Sequence, residues 1–143
     1  MRATARAAVP GRVSDAEALW YDRSRWPAFV DGFGHVTRST GDWPAVGAVT
    51  TWASTPGGRG LVREQVTAYA VRAGQTVAVE DESIRGTQTV AFAHGEVALT
   101  LEFELKARRP LAGLFIRRAF RDSLRRTLAR FARELRGDLE LGA

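Results

Sequence analysis

The sequence predicts an α+β domain in which the helices, including one long C-terminal helix, pack on one face of a curved antiparallel sheet of seven strands. Three observations favour this class. Residues 35–107 alternate apolar and polar side chains between glycine-containing turns, as an antiparallel meander does. Residues 110–137 repeat apolar side chains every three or four positions, which is the period of an amphipathic helix. Before both lies the pattern of one strand and two short helices, so we expect residues 1–143 to form a single β-α-α-β6-α domain.

Composition excludes several classes of protein. The chain has 143 residues, 45% of them hydrophobic and 26% charged, which is typical of a globular domain with its own core. It has no cysteine, so disulfides, thiolate nucleophiles and cysteine-ligated metals are excluded. No stretch approaches the roughly 20 apolar residues that span a bilayer, and the N-terminus does not resemble a signal peptide. We therefore expect a cytoplasmic protein.

The first strand and the first helix are predicted from the opening residues. Residues 3–9 are small and compatible with a strand that ends at Pro10. Ser14 and Glu17 match the S-x-x-E pattern of a capping box, in which each side chain satisfies a free backbone N–H at the helix start. The apolar spacing that follows predicts a helix over residues 14–24.

A second, shorter helix is predicted after the Trp26-Pro27 junction. Proline has no N–H and a fixed φ, so Pro27 suits the first turn of a helix. Phe29, Val30 and Phe33 are expected to be its apolar residues.

The middle of the chain predicts six strands. They are expected at residues 35–40, 46–55, 60–72, 75–85, 87–94 and 96–107, with turns at Gly41-Asp42, Pro56-Gly57-Gly58, Ala73-Gly74, Arg85-Gly86 and His94-Gly95. The last strand alternates apolar and polar side chains along its whole length, which indicates one buried and one solvent-exposed face.

The last predicted element is a long helix with an apolar face and an arginine face. Pro110 is expected near its start and Gly137 at its C-terminal cap. Its apolar face consists of Ile116, Phe120, Leu124, Leu128, Phe131 and Leu135. Its arginines are Arg117, Arg118, Arg121, Arg125, Arg126, Arg130, Arg133 and Arg136.

The net charge of +5 comes from this helix. Residues 1–107 have a balance of −1, residues 108–136 of +8 and residues 137–143 of −2. The arginine face has three interpretations. A solvated face that pairs with acidic side chains of the sheet is favoured. Peripheral contact with an anionic membrane comes second, and nucleic acid is disfavoured because no nucleic-acid-binding motif is present.

Three segments carry a resemblance to a known superfamily. They are the aromatic-rich LWYDRSRWPAFVDGF at residues 19–33, GAVTTW at residues 47–52, and the proline-led, arginine-rich helix at residues 110–137. In this element order they resemble the SRPBCC superfamily, which has the START-like or helix-grip fold, and within it the polyketide cyclase/dehydrase-like family. The resemblance covers essentially the whole chain.

The resemblance implies a cavity between the curved sheet and the C-terminal helix that binds a hydrophobic small molecule, such as a lipid, a polyketide or a quinone. A filled core is equally compatible with the residues themselves. Two alternatives remain open. One is a polyketide cyclase/dehydratase-type enzyme with a cavity carboxylate as general acid or base, and the other is a co-chaperone-like interaction module.

Two carboxylates are candidates for that acid or base. Glu64 shares a strand face with Val62 and Val66, and Asp81 shares one with Val77 and Val79, so both are expected to point into the cavity region. Desolvation there would raise the pKa of a carboxyl group and suit it to proton transfer. The alternative is that each lies in water near a strand end, or forms an ordinary ion pair with Arg63, Arg85 or another nearby arginine.

The remaining binding candidates are aromatic. The side chains expected to line the cavity are Trp26, Phe29, Trp52, Phe92, Phe115 and Phe120, with plain core packing as the alternative for each. His35 and His94 have no partner at metal-ligand spacing, so we expect neither a metal nor a cofactor. The glycine-rich residues 57–60 lack the Lys-Ser/Thr of a phosphate loop and predict a flexible hairpin at the cavity mouth.

Overall fold

The computed structural model describes residues 1–107 and 111–142. Its strands are β1 (Arg2–Ala8), β2 (Phe33–Thr40), β3 (Val49–Ser54), β4 (Leu61–Ala70), β5 (Gly74–Glu80), β6 (Ile84–Ala93) and β7 (Glu96–Leu105). Its helices are α1 (Val13–Tyr21), α2 (Trp26–Phe29) and α3 (Ala112–Leu141), with a 3₁₀ turn at Arg23–Arg25. The predicted position of Pro110 near the start of α3 lies outside the described residues.

All seven strands form one antiparallel sheet in the order β1-β7-β6-β5-β4-β3-β2. β2 to β7 are joined as a meander, and β1 pairs with β7 from Arg2↔Glu102 to Ala8↔Glu96. Register shifts in the β2–β3 and β4–β5 pairs are bulges, which bend and twist the strands. The α+β helix-grip class, a curved antiparallel sheet around a long C-terminal helix, is confirmed.

One core joins the helices to the sheet. Phe131 of α3 is fully buried and contacts the rings of Trp20 and Phe29, with centroids 5.6 and 5.2 Å apart. The predicted apolar face of α3 therefore packs inward, although Ile116 and Phe120 are only partly buried. Burying a large apolar side chain stabilises a fold by about 1.5–3 kcal/mol.

Two sequence-based predictions about the first two helices are wrong. α1 begins after Arg12, whose backbone N–H donates to Asp15 Oδ2 at 2.8 Å, so Ser14 and Glu17 form no capping box. Glu17 is buried instead and accepts from the backbone and guanidinium of Arg72. α2 ends at Phe29, and Phe33 begins β2.

The end of α3 also differs from the prediction, because the helix passes Gly137 and continues to Leu141. Asp138 forms a salt bridge with Arg25 at 2.9 Å, and Leu139 packs against the core. These contacts stabilise one more turn of helix beyond Gly137.

No helix within residues 1–107 or 111–142 is long and apolar enough to cross a membrane.

The turn before β6 lies earlier than predicted. Asp81 Oδ1 accepts hydrogen bonds from the backbone N–H groups of Ser83 and Ile84, at 2.7 and 2.9 Å, and so closes a turn directly after β5. The predicted turn at Arg85-Gly86 is therefore wrong. Gly86 lies within β6, where a Cβ would collide with the carbonyl of Glu102 on β7. The other strands differ from prediction by one to three residues at their ends.

Candidate ligand-binding site

A cavity lies between α3 and the inner face of strands β3 to β7, next to α1 and α2. Its volume is about 60 Å³, which exceeds the roughly 10–15 Å³ that a cavity needs to hold one water molecule. Its apolar walls are Trp20, Trp26, Val30, Trp43, Trp52, Val77, Val90, Leu99, Phe120 and Leu124. Its polar lining consists of Asp31, Arg59, Glu64, Gln75, Gln88, Ser123 and Thr127. Ten of the 17 lining residues are apolar and seven are polar, so the cavity combines apolar walls with several polar groups that could orient a small molecule.

Four of the eight residues predicted for the site line this cavity: Trp26, Trp52, Glu64 and Phe120. Two others belong to the surrounding core. Phe29 is fully buried between Trp20 and Phe131, and Phe92 is buried with its ring 5.9 Å from that of Tyr21. Their part in ligand binding stays a prediction that the geometry does not favour.

Phe115 is placed differently from the expectation that it lines the cavity. Its side chain is 73% exposed. Successive residues of a helix are turned by about 100°, so the packing of Ile116 and Phe120 towards the core turns Phe115 outward.

Asp81 was expected to point into the cavity region as a possible acid or base, but it does not line the cavity. It is buried in the turn between β5 and β6, where it accepts two backbone hydrogen bonds and pairs with Arg59 Nε at 2.7 Å. Its oxygens are thus engaged in holding the turn and Arg59. This arrangement matches the alternative of a structural ion pair, with an arginine other than Arg63 or Arg85.

Glu64 is the predicted carboxyl group that lines the cavity. The β3–β4 register pairs Trp52 with Val62, so Glu64 lies diagonally across from Trp52, and Trp52 Nε1 donates to Glu64 Oε2 at 2.8 Å. Desolvation raises the pKa of the Glu64 carboxyl, while the Trp52 hydrogen bond and the charge of Arg59 act in the opposite direction. Glu64 therefore keeps its proton to a higher pH than an exposed glutamate, and its protonated carboxyl can donate into the cavity.

Arg59 reaches the cavity from the loop between β3 and β4. Its Nε donates to Asp81, and its guanidinium carbon lies 5.0 Å from the ring centre of Phe120 and 5.7 Å from that of Trp52. Its Nη2 is buried and has no hydrogen-bond partner among the described residues. A buried donor without an acceptor costs about 1–3 kcal/mol, so a polar occupant of the cavity would be stabilised there.

Asp31 fastens the loop after α2 onto α3 at the edge of the cavity. Its carboxylate accepts from Ser123 Oγ at 2.8 Å, Arg126 Nη2 at 3.0 Å and Arg130 Nη1 at 3.2 Å, and its backbone N–H donates to Thr127 Oγ1. Desolvation alone would raise the pKa of Asp31, but these donors and charges outweigh it and lower the pKa. The loop is thus held by an ionised carboxylate.

Sequence reasoning missed most of the polar lining. The alternation of β5 and β6 carried a usable signal, because Gln75 shares a face with Val77, and Gln88 shares one with Val90. Gln75 is buried and donates to Pro44 O at 3.1 Å. Loop residues such as Arg59 gave no comparable signal. Among the described residues, no three His, Asp or Glu side chains gather as a metal site would require.

Comparisons with known proteins place this geometry in a fold. No protein-family model matches the chain, and no curated protein matches it significantly. Solved structures do match: TTHA0849 from Thermus thermophilus is 15% identical, with a TM-score of 0.74 over 96% of this chain and 99% of its own. An AHSA1-like protein from Aeromonas hydrophila is 15% identical, with a TM-score of 0.61 over 96% and 94%.

A third match is DynU16, a protein of the dynemicin biosynthetic locus. It is 16% identical, with a TM-score of 0.60 over 94% of this chain but only 47% of its own length, so the chain spans about half of DynU16. At these identities the likeness shows the fold alone. The chain therefore has the α+β helix-grip fold.

Proposed function

We propose that the protein binds a hydrophobic small molecule, a polyketide or a similar ring compound, in the cavity between sheet and α3. One observation carries the proposal: five aromatic side chains line the cavity together with Arg59, whose Nη2 is buried without a hydrogen-bond partner among the described residues. A cavity kept only as part of the core would not be expected to leave a charged donor without an acceptor.

The aromatic walls favour a planar ring system over an acyl chain. All four tryptophans of the chain line the cavity, together with Phe120. Aromatic pairs in offset or edge-to-face contact gain about 0.5–1.5 kcal/mol beyond the area that they bury. A flat ligand can make several such contacts at once.

The polar end of the cavity favours a ligand oxygen. Arg59 and Glu64 both line the cavity, and a guanidinium and a protonated carboxyl group are both hydrogen-bond donors. A carbonyl or phenol oxygen can accept from such donors and would satisfy the Arg59 group. The structure thus supports a ring ligand with at least one oxygen rather than a pure hydrocarbon.

Ligand entry requires the cavity to widen. Small-molecule pockets commonly measure about 300–1,000 Å³, whereas the volume here is about 60 Å³. Two ion pairs lie at the edge of the cavity, Asp31 with Arg126 of α3 and Arg59 with Asp81. Asp31, Arg59 and Asp81 are loop or turn residues. Release of these ion pairs would enlarge the cavity without breaking the sheet.

A matched pair of probes tests the proposal by isothermal titration calorimetry. The probes are 1-tetralone, a bicyclic ketone, and tetralin, the same hydrocarbon without oxygen. We expect 1-tetralone to bind and tetralin to bind at least tenfold more weakly, the ratio that corresponds to about 1.4 kcal/mol. Native mass spectrometry of gently purified protein should also show a bound small molecule.

Two phenylalanine variants provide the control. Val77→Phe places a ring in the cavity wall and should abolish binding, whereas Val46→Phe, at an exposed position, should leave it unchanged. Overpacking costs about 1–3 kcal/mol, so the fold of both variants is checked by thermal unfolding. Equal binding by both variants, or no binding of any ring compound tried, would contradict the proposal.

A second candidate is a cyclase/dehydratase-type enzyme, which the position of Glu64 favours. A protonated Glu64 lining the cavity can give its proton to the departing hydroxyl group, which leaves as water when the C–O bond breaks. The resulting Glu64 carboxylate can take the proton of the α-carbon as the C=C bond forms, which restores the acid. Glu64→Gln should then abolish the conversion of 4-hydroxy-4-phenylbutan-2-one to its conjugated enone, followed by ultraviolet absorbance, while ligand binding is retained. The co-chaperone-like interaction module stays a prediction.

A further inference from the structure

The outer face of α3 carries three exposed apolar side chains followed by a row of arginines, and we propose that this face binds the surface of an anionic lipid bilayer. The apolar tip consists of Leu111, Leu114 and Phe115, and the arginine row consists of Arg118, Arg125, Arg133 and Arg136. This inference does not depend on what the cavity holds, although Phe120 and Leu124 on the inner face of the same helix line the cavity.

The apolar tip is unusual for a protein surface. Leu111, Leu114 and Phe115 are 78%, 69% and 73% exposed, and they are neighbours at one end of one helix. Single exposed apolar residues are common and need no explanation, but a contiguous group marks a contact surface. The tip is therefore a candidate for insertion between lipid headgroups.

The arginines of the row form no salt bridge with the described part of the chain. Within residues 1–107 and 111–142, no carboxylate lies within 4.0 Å of a guanidinium nitrogen of the row. The nearby acids Glu134 and Asp138 pair with Arg25 instead, and Asp122 pairs with Arg121. Arg108, Arg109, Pro110 and Ala143, which lie outside the described residues, add no acidic side chain. Asp122 and Glu140 lie on the same side of α3, four residues after Arg118 and Arg136, so the four arginines leave this side with a positive balance of two charges (4 − 2).

The tip and the row lie on the same side of α3. Leu111, Phe115, Arg118, Arg125 and Arg136 fit one stripe because their spacings are close to whole turns of 3.6 residues. At about 1.5 Å per residue, the stripe from the tip to Arg136 is roughly 35–40 Å long. A flat surface parallel to the helix can contact all of it at once, as a bilayer contacts an interfacial amphipathic helix.

A lipid surface accounts for both parts of the stripe. Anionic headgroups attract arginines, and the acyl boundary accepts leucine and phenylalanine. Nucleic acid would engage the arginines alone and leave the apolar tip without a partner. A partner protein or a second copy of the chain would require an acidic surface of similar length, and this makes it an outcome of the test rather than the proposal.

Co-sedimentation with vesicles tests the inference. We expect the protein to pellet with vesicles of phosphatidylglycerol mixed with phosphatidylcholine, much less with phosphatidylcholine alone, and less again as salt screens the charges. An arginine near an anionic surface contributes roughly fivefold in binding. Arg125→Gln/Arg133→Gln should therefore weaken binding about 25-fold, and Phe115→Ser should weaken it by about tenfold or more because the ring no longer inserts.

The matched control carries the same change in net charge on the sheet. Arg38→Gln/Arg63→Gln alters two exposed arginines of β2 and β4 and should bind vesicles almost as the unaltered protein does. Equal loss in this control, equal binding to phosphatidylcholine alone, or full binding by Phe115→Ser would overturn the inference. So would self-association in analytical ultracentrifugation that Phe115→Ser abolishes while vesicle binding persists.

Discussion

Asp31 should contribute measurable, pH-dependent stability because its ionised carboxylate fastens the loop after α2 to α3. The perturbation is Asp31→Asn, which keeps the side chain's size and one acceptor oxygen but removes the charge. The side chain of Asp31 is 18% exposed, whereas those of Arg126 and Arg130 are 53% and 41% exposed. Solvent therefore screens both ion pairs, and each contributes at most about 0.2–1 kcal/mol.

The Ser123 hydrogen bond adds to this, since a bond to a charged acceptor is stronger than one to a neutral amide. Together these contacts predict that Asp31→Asn lowers the free energy of unfolding by about 1–2 kcal/mol at neutral pH. The assay is urea denaturation followed by tryptophan fluorescence. The control is Asp122→Asn on the surface of α3, which should change the free energy of unfolding by less than about 0.5 kcal/mol.

The pH dependence gives the sharper test. The pKa of Asp31 is lower in the folded than in the unfolded protein, so its stabilisation is fully present above the unfolded carboxyl's pKa. It is lost as the pH falls through the folded pKa. The difference between the protein and Asp31→Asn should therefore shrink in acid. A difference that is absent at neutral pH, or the same at every pH, would refute this reasoning.

Three further changes have definite expected outcomes. Burial raises the pKa of Glu64, so the stability of the protein falls as the pH rises above the pKa of an unfolded glutamate. Glu64→Gln does not ionise and should therefore be more stable than the unaltered protein at neutral pH. A pH series of denaturation curves should show that this advantage disappears in acid. Phe131→Ala should lower the free energy of unfolding by about 3–5 kcal/mol in denaturant titrations, because the ring is fully buried at the meeting of three helices. Glu17→Gln should cost only about 1–2 kcal/mol in the same assay, since its partner Arg72 is largely exposed; a loss of the size expected for Phe131→Ala would be contrary evidence.

The sequence predicted the elements whose signal is local and repeated. The strict alternation of residues 96–107 located β7, and the stripe of apolar side chains from Ile116 to Leu135 located α3 and its buried face. Both patterns follow from side-chain direction alone, with periods of 2 and 3.6 residues. These patterns depend on the local sequence and not on contacts with distant residues.

Predictions failed where a distant residue decided the outcome. Glu17 matches the pattern of a capping box, but it pairs with Arg72, which is distant in sequence. Helix α3 continues past Gly137 because Asp138 forms a salt bridge with Arg25. Gly86 reads as a turn residue, yet its lack of a side chain serves the close approach of two strands. None of these partners can be identified from local spacing.

The candidate site divides in the same way. Glu64 was found because it shares a strand face with two valines, and its hydrogen bond to Trp52 follows from the register of β3 and β4. Arg59 and Asp31 were not found, because both lie in loops and their contacts with the cavity depend on how those loops fold back onto α3 and β5. The apolar half of the site was therefore more predictable than the polar half.

The central claim, that a ring ligand occupies the cavity, is tested most directly by the indole N–H signals in nitrogen-15 NMR spectra. The chain has four tryptophans and all four line the cavity, so these signals report on its walls alone. Titration with 1-tetralone should shift them saturably, Trp52 most because it contacts Glu64 and Arg59, and Val77→Phe should abolish the shifts. Indole signals that stay fixed while backbone signals of exposed residues move would place the ligand outside the cavity and contradict the account.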